Sequence, residues 1–269
     1  MEIKHWLVTG DIHGRIQERV DAIDRNLYPP NETALICLGD VGFNFYLNRS
    51  DTKRKQFAQE SGYVFYCVRG NHEERPQNIP NMTEYFDMDI HNFVYMEEEF
   101  PNIKYLRDGE EYKFNGHPTL VIGGAYSVDK WFRLDGRPEN TDLWTGWFKD
   151  ELLTSEEMGQ IELNINGNYY DIILTHTCPE SWEPRDLFLS GLDQSSVDKS
   201  MEKWLDVIKT QIDWQVWLFG HYHDDRLVRP GVEMYFHNIE DLEDIMNRWE
   251  DPEHLDWWLK KDPNYEAGL

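Results

Sequence analysis

Short apolar runs separated by amphipathic stretches open the chain. Residues 3–9 form the first run and read as a buried strand. Over residues 16–26 apolar positions recur at helical spacing, with Ile16, Val20 and Ile23 on one side. Tyr28-Pro29-Pro30-Asn31 is a connector. Residues 33–38 form a second run, and residues 51–61 carry a helical signal that Gly62 can end. Residues 63–68 form a third run. Strand, helix, strand, helix, strand predicts parallel pairing with right-handed crossovers. In such sheets the chemistry collects beyond the carboxyl ends of the strands.

The pattern weakens from Pro76 to Pro101, where short aromatic and acidic pieces alternate with Asn and Pro. This stretch reads as a surface insertion with some irregular strand. Short strands are expected over 103–106, 111–114 and 118–123, the last running into Gly123-Gly124-Ala125-Tyr126. Residues 127–149 are rich in Trp, Phe, Asp and Gly, with Lys130, Arg133 and Arg137 among them. Two readings stand for them: a loop lining a substrate entrance, or an aromatic-packed surface loop. A helix over 150–161, a strand over 170–174 and a connector over 184–194 follow. Residues 195–210 predict a helix capped by Ser195 or Ser196, with Val197, Met201, Trp204, Leu205 and Ile208 on its apolar face. Strands over 216–219 and 232–237 close the pattern. Residues 1–239 read as one domain. Residues 240–269 form an acidic, Trp-containing extension, either an amphipathic helix packed on the body or a partner-binding face.

Composition narrows the class. The chain has 269 residues, 40% hydrophobic and 14% aromatic, enough to bury a substantial core. No apolar run is long enough to cross a membrane, and no secretory signal is visible at the start. Three cysteines, Cys37, Cys67 and Cys178, do not make a disulfide framework, and a cytoplasmic location is the simplest expectation. The formal net charge of −25 repels polyanions, which weighs against tight binding to duplex nucleic acid or an anionic membrane. Any anionic ligand held by such a chain needs strong local positive charge, which bound cations can supply.

Candidate chemistry sits at the ends of the apolar runs. Asp11 and His13, in Gly10-Asp11-Ile12-His13-Gly14, follow the first run. In extended geometry, side chains two apart point the same way, so a carboxylate and an imidazole converge as half a metal site. Alone, such a pair arises often by chance. Four later segments repeat the arrangement: Leu38-Gly39-Asp40, Gly70-Asn71-His72-Glu73, Leu174-Thr175-His176 and Gly220-His221-Tyr222-His223. The spacing of His221 and His223 lets both rings turn one way from a short extended segment and sends Tyr222 elsewhere. His5, His91, His117, His237 and His254 sit in no motif and read as ordinary histidines. A nucleophilic thiol at Cys178, two residues from His176, is a minor alternative.

This ordered set, spanning residues 3–237, resembles the calcineurin-like metallophosphoesterase family. The resemblance implies an α/β fold in which a two-sheet β-sandwich is flanked by helices. It implies a dinuclear centre: Asp11, His13 and His223 on one cation, Asn71, His176 and His221 on the other, Asp40 bridging both. Two divalent ions are implied, manganese first, with iron or zinc as occupants of one position. A hydroxide bridging the metals would attack phosphorus, with His72 as the acid for the leaving oxygen.

The second motif departs from that of the family's protein Ser/Thr phosphatases, G-D-x-V-D-R-G. Phe43 stands where an acid would orient the catalytic histidine, and Asn44 where an arginine would bind phosphate. Arg15, Asn44 and Arg69 are candidate substrate contacts, with a buried structural role as the other reading of Arg69. The implied activity is phosphomonoester hydrolysis of a small or nucleotide-like substrate. The alternatives are a phosphodiesterase acting on cyclic nucleotides or nucleic-acid ends, and a non-catalytic metal-binding module. A monoester carries more charge and calls for extra cationic groups near the metals; a diester needs room on both sides.

Overall fold

The first apolar runs become β1 (His5–Thr9), β2 (Thr33–Cys37) and β3 (Val64–Cys67), with α1 (Ile16–Asp21) and α2 (Arg49–Ser61) as the crossovers. Gly62 ends α2 in a left-handed conformation, φ 81°, as a residue without Cβ does most readily. The computed structural model describes residues 3–135, 146–188 and 194–251. The chain continues through β4 (Met82–Asp87), β5 (Asn92–Glu97), β6 (Ile103–Tyr105), β7 (Glu110–Phe114) and β8 (His117–Ile122). Then come α3 (Lys130–Asp135), α4 (Ser155–Ile165), β9 (Tyr169–Thr175), α5 (Ser200–Gln211) and β10 (Asp213–Phe219). The described part ends with β11 (Arg226–Arg229), β12 (Val232–Met234), β13 (Ile239–Asp241) and α6 (Leu242–Glu250).

Two mixed sheets result. One runs β13-β1-β2-β3-β6-β5-β4, the other β11-β12-β10-β9-β8-β7. In the first sheet β1, β2, β3 and β6 pair in parallel, and in the second so do β8, β9 and β10. The central parallel strands are covered on both faces, which is why they read as unbroken apolar runs rather than alternating ones. Alternation reappears in which layer each residue joins. Trp6, Val8, Ile36 and Leu38 meet Val121, Leu174, Val216 and Leu218 between the sheets. Leu7, Leu35 and Cys37 face outward under Ile16 and Val20 of α1 and Ala58 of α2. On the far side, α4 and α5 cover Ile173 and Trp217 through Met158, Ile161, Met201 and Leu205. The expected α/β sandwich flanked by helices is the fold observed.

Two local expectations change. The segment 76–101 is not irregular: β4 and β5 form an antiparallel hairpin that extends the first sheet. α5 starts at Ser200 rather than Ser195, because Asp198 Oδ1 accepts the Ser200 N–H at 2.9 Å. Ser195 and Ser196 instead lie in a short 3₁₀ turn. Beyond residue 239, β13 pairs with β1, and α6 inserts Leu242, Ile245, Met246 and Trp249 into the layer between the sheets. The rest of the expected extension, and Arg137 and His254, lie outside the described residues.

Candidate metal centre

All seven residues singled out as ligands follow the carboxyl ends of five parallel strands. Asp11 and His13 follow β1, Asp40 follows β2, Asn71 follows β3, His176 follows β9, and His221 and His223 follow β10. The structure brings all seven to one place, where the two sheets' strand ends meet.

The two carboxylates are anchored alike. Asp11 Oδ1 accepts the backbone N–H of His221 at 2.9 Å, and Asp40 Oδ1 accepts that of His72 at 2.9 Å. Each is thereby tied to a loop that carries another candidate ligand. Each also keeps its second oxygen for the centre. Asp11 Oδ2 is buried without a hydrogen-bond partner. It lies 3.2 Å from His223 Nε2 and 3.5 Å from His13 Nε2, and those two nitrogens are 2.7 Å apart. Lone-pair atoms this close need a proton or a cation among them.

A second acceptor pair sits nearby. His176 Nδ1 is 2.7 Å from the Leu38 carbonyl, which only accepts, so Nδ1 carries the hydrogen. In the neutral ring Nε2 is then a lone pair, and it faces Asn71 Oδ1 at 2.8 Å and Asp40 Oδ2 at 3.7 Å. The His221 ring packs on that of His176, centroids 5.1 Å apart. The ligand-capable atoms of Asp11, His13 and His223 lie within 4.8 Å of one another, and so do those of Asp11, Asp40 and His176. Asp11, rather than Asp40, is common to these two groups. The donor set of carboxylate, amide and imidazole fits divalent transition metals.

Backbone geometry differs from the expected extended segments. His13, Asp40, His221 and His223 adopt left-handed φ values of 49°, 47°, 70° and 56°. Non-glycine residues resist this region, at a cost on the order of 1–3 kcal/mol each when strained. The rings therefore converge from tight turns. Tyr222, between two of them, turns away as expected, its hydroxyl 3.1 Å from Thr177 Oγ1.

Electrostatics follow the same layout. Burial pushes the Asp11 carboxyl up, but the His13, His223 and His176 rings outweigh it and hold it well below the ordinary range. Asp40 is likewise lowered, burial being outweighed by His176 and His72. Burial, with His176 beside it, takes the His221 ring down to about 3, which keeps its lone pairs available for a metal. Burial also lowers His72, against the pull of Asp40 and with the help of Arg133.

The asparagine is oriented by residues that the motifs do not contain. Asn71 Nδ2 donates to Ser127 Oγ at 2.8 Å, and Ser127 Oγ donates to Glu151 Oε2 at 2.5 Å. Arg133 on α3 reaches His72, its Nη2 3.3 Å from Nε2. Gly123-Gly124 at the end of β8 repeats the run-then-glycine pattern of the other motifs, which draws attention to this loop without singling out Ser127.

Other candidates stand apart. Arg69 is buried, and its donors go to Asp108, the Glu151 carbonyl and the Gly123 carbonyl, a structural assignment. Asn44 is buried, and its carbonyl accepts the Glu74 N–H. Arg15 lines a separate cavity of about 220 Å³ beside Arg19 and His237. None of the three lines the cavity above the centre. Phe43 packs in the outer core against Phe65. Cys178 is fully buried, and burial pushes its thiol well up, the opposite of an activated nucleophile.

The centre opens into a cavity of about 650 Å³ lined also by Tyr126, Leu187, Phe188, Val197 and Tyr222. Parallel strands thus deliver carboxylates, an amide and imidazoles to the floor of a cavity, an arrangement that could hold metal ions. A family model, calcineurin-like phosphoesterase, matches residues 5–225, and the chain belongs to that family of phosphoester hydrolases. Among solved structures it is similar to the phosphopantetheinyl hydrolase from Mycobacterium tuberculosis. That likeness is 12% identity over 97% of each chain, with a TM-score of 0.42. No curated protein matches the chain. Among the described residues, no helix is long and apolar enough to cross a membrane.

Proposed function

We propose that this chain is a phosphomonoesterase with a dinuclear metal centre, acting on a small or nucleotide-like organic phosphate. The observation that carries the reading is the pair of buried acceptor clusters. In one, Asp11 Oδ2 faces His13 and His223; in the other, His176 Nε2 faces Asn71 Oδ1. Each calls for a proton or a cation between its acceptors, and among the described residues no lysine or arginine pairs with the Asp11 or Asp40 carboxylate. Asp11, His13 and His223 would hold one cation, and Asn71, His176 and His221 the other. Asp40 is the carboxylate with a free oxygen towards both His176 and His72. Manganese suits this donor set, as do iron and zinc.

Divalent cations there would polarise the phosphoryl oxygens and acidify a water. The chain's own residues do the rest. His72 lines the same cavity and, in its protonated form, would give its proton to the departing oxygen as a water oxygen bonds to phosphorus and the ester bond breaks. Phe188 and Tyr222, nearly parallel at 6.3 Å, offer an apolar wall for the alcohol. A bare phosphoryl group would leave most of 650 Å³ empty.

The test is manganese-dependent hydrolysis of an aryl phosphate monoester beside the matching diester, in wild type and His72→Ala. Turnover should need the metal, and the substitution should lower it by roughly 10²–10⁴-fold, most for a poor leaving group. An unimpaired variant would remove His72 from its role. Preference for the diester would favour the phosphodiesterase, and no turnover with any divalent ion would favour a binding module.

A further inference from the structure

The cavity holds two cationic side chains among its described lining, and they are placed differently. Lys199 Nζ is engaged by both carboxylate oxygens of Glu183, at 2.9 and 2.7 Å. Arg133 is held from behind. Its Nε donates to Asp129 Oδ2 at 2.7 Å and its Nη1 to the Gly146 carbonyl at 3.1 Å. Those bonds fix the plane of the guanidinium and leave Nη2 forward, 3.3 Å from His72 Nε2. A guanidinium only donates, so the imidazole nitrogen is its acceptor here. A neutral imidazole is a weaker partner than a charged phosphoryl oxygen, because charge-assisted hydrogen bonds are roughly twice as strong.

We propose that Arg133 is the substrate-phosphate arginine of this enzyme, supplied by α3 in place of the one that Asn44 displaces. An oxygen of the bound phosphoryl group takes the Nη2 hydrogen bond from His72. The acidic residues around the cavity fit this assignment. Asp129 aligns the guanidinium, Glu183 is paired with Lys199, and Glu202 is bonded to Thr177 Oγ1. A monoester dianion has one more charge and one more non-bridging oxygen than a diester. The arginine is therefore a device for choosing monoesters. The inference rests on the hydrolase reading above and adds the residue that sets ester class.

The experiment measures kcat/KM on an aryl monoester and on its methyl aryl diester, with the same leaving group, for wild type, Arg133→Lys and Arg133→Ala. Loss of one charge-assisted contact should cost Arg133→Ala about 10–100-fold on the monoester, with a several-fold smaller loss on the diester. Arg133→Lys should fall between, and added guanidinium should restore part of the monoester rate. An equal loss on both esters, or none, overturns the proposal. Calorimetric binding of inorganic phosphate to the manganese-loaded proteins separates this failure from failure of the hydrolase reading. If wild type hydrolyses neither ester, phosphate affinity still decides: weaker in Arg133→Ala supports the assignment, and unchanged overturns it.

Discussion

Gly70 and Asp40 touch so closely that a Cβ on Gly70 would lie 2.0 Å from Asp40 Oδ1 and 2.3 Å from its backbone nitrogen. That oxygen is the one that accepts the His72 N–H. Gly70 has no left-handed φ, so alanine is acceptable to its backbone, and space is the sole objection. Gly70→Ala should therefore expel the Asp40 carboxylate and weaken manganese binding at least about tenfold, read by calorimetric titration. Gly116→Ala is the contrast. Its φ is 90° with nothing within 4 Å, so it should cost only about 1 kcal/mol of stability and leave metal affinity alone. Equal metal binding by Gly70→Ala and wild type would show that Asp40 is not part of the centre.

Ser127 has one hydroxyl hydrogen and gives it to Glu151. Its lone pair is what receives the Asn71 amide, and this turns Asn71 Oδ1 towards His176. Ser127→Ala removes the reason for that orientation while touching no candidate ligand's own atoms. Partners one step behind metal ligands typically matter by about 10–100-fold in affinity. Ser127→Ala should weaken manganese binding within that range. Ser127→Thr, which keeps the hydroxyl, should recover most of it. Wild-type affinity in the alanine variant would mean that the amide is held by something else.

What the sequence discloses and what it hides divide along physical lines. The ligands are legible because each follows an apolar run, with a glycine between in every case but His176, a pattern that survives without knowing how strands pair. The apolar runs signal buried strands with parallel pairing, while the two-sheet sandwich is implied by the family resemblance. By contrast, β11 reads Arg-Leu-Val-Arg and β13 reads Ile-Glu-Asp, too short and too polar to signal strands. They exist because β12 and β1 offer them edges. Ser127 and Glu151 are ordinary polar residues in sequence, and only the folded chain sets Ser127 between Asn71 and Glu151. The left-handed turns at His13, Asp40, His221 and His223 are likewise invisible, since histidine and aspartate give no sign that the fold forces such φ values.

Glu202, on α5, sets a pH dependence of stability away from the metal ligands. Its carboxyl is 4% exposed, Oε1 accepts from Thr177, and Oε2 has no partner. Burial pushes its pKa from an ordinary 4.5 up to about 7. Below about 4.5 the group is protonated in folded and unfolded chains alike and contributes nothing to the difference. Between that point and about 7 the folded state keeps a proton that the unfolded state has released, so stability falls as pH rises. Above it the full cost is present, on the order of 3 kcal/mol. Glu202→Gln keeps the acceptor for Thr177 and removes the charge. It should match wild type in denaturant titrations near pH 4 and exceed it at pH 8. A variant no more stable than wild type at pH 8 would mean that the ionised carboxylate is solvated.

Metal should also be a structural component of this chain. Four candidate ligands occupy left-handed backbone conformations, and Asp11 Oδ2 is buried without a partner. The left-handed turns are unfavourable in the protein alone, and a cation among the ligands offsets that cost while giving the Asp11 oxygen a further partner. A cation that binds only the folded state stabilises it by about 2.7 kcal/mol at a hundred times its Kd. Manganese should therefore raise the midpoint of thermal unfolding in a concentration-dependent way, and a chelator should reverse the rise. Asp11→Asn replaces the orphan oxygen with an uncharged amide of the same shape. It should leave the metal-free midpoint close to that of wild type while removing most of the increment that manganese brings. If the increment survives in Asp11→Asn, the cation is bound elsewhere and Asp11 is not a ligand. If wild type shows no increment with manganese, iron or zinc, the acceptor clusters hold protons, and the metal centre itself is the wrong inference.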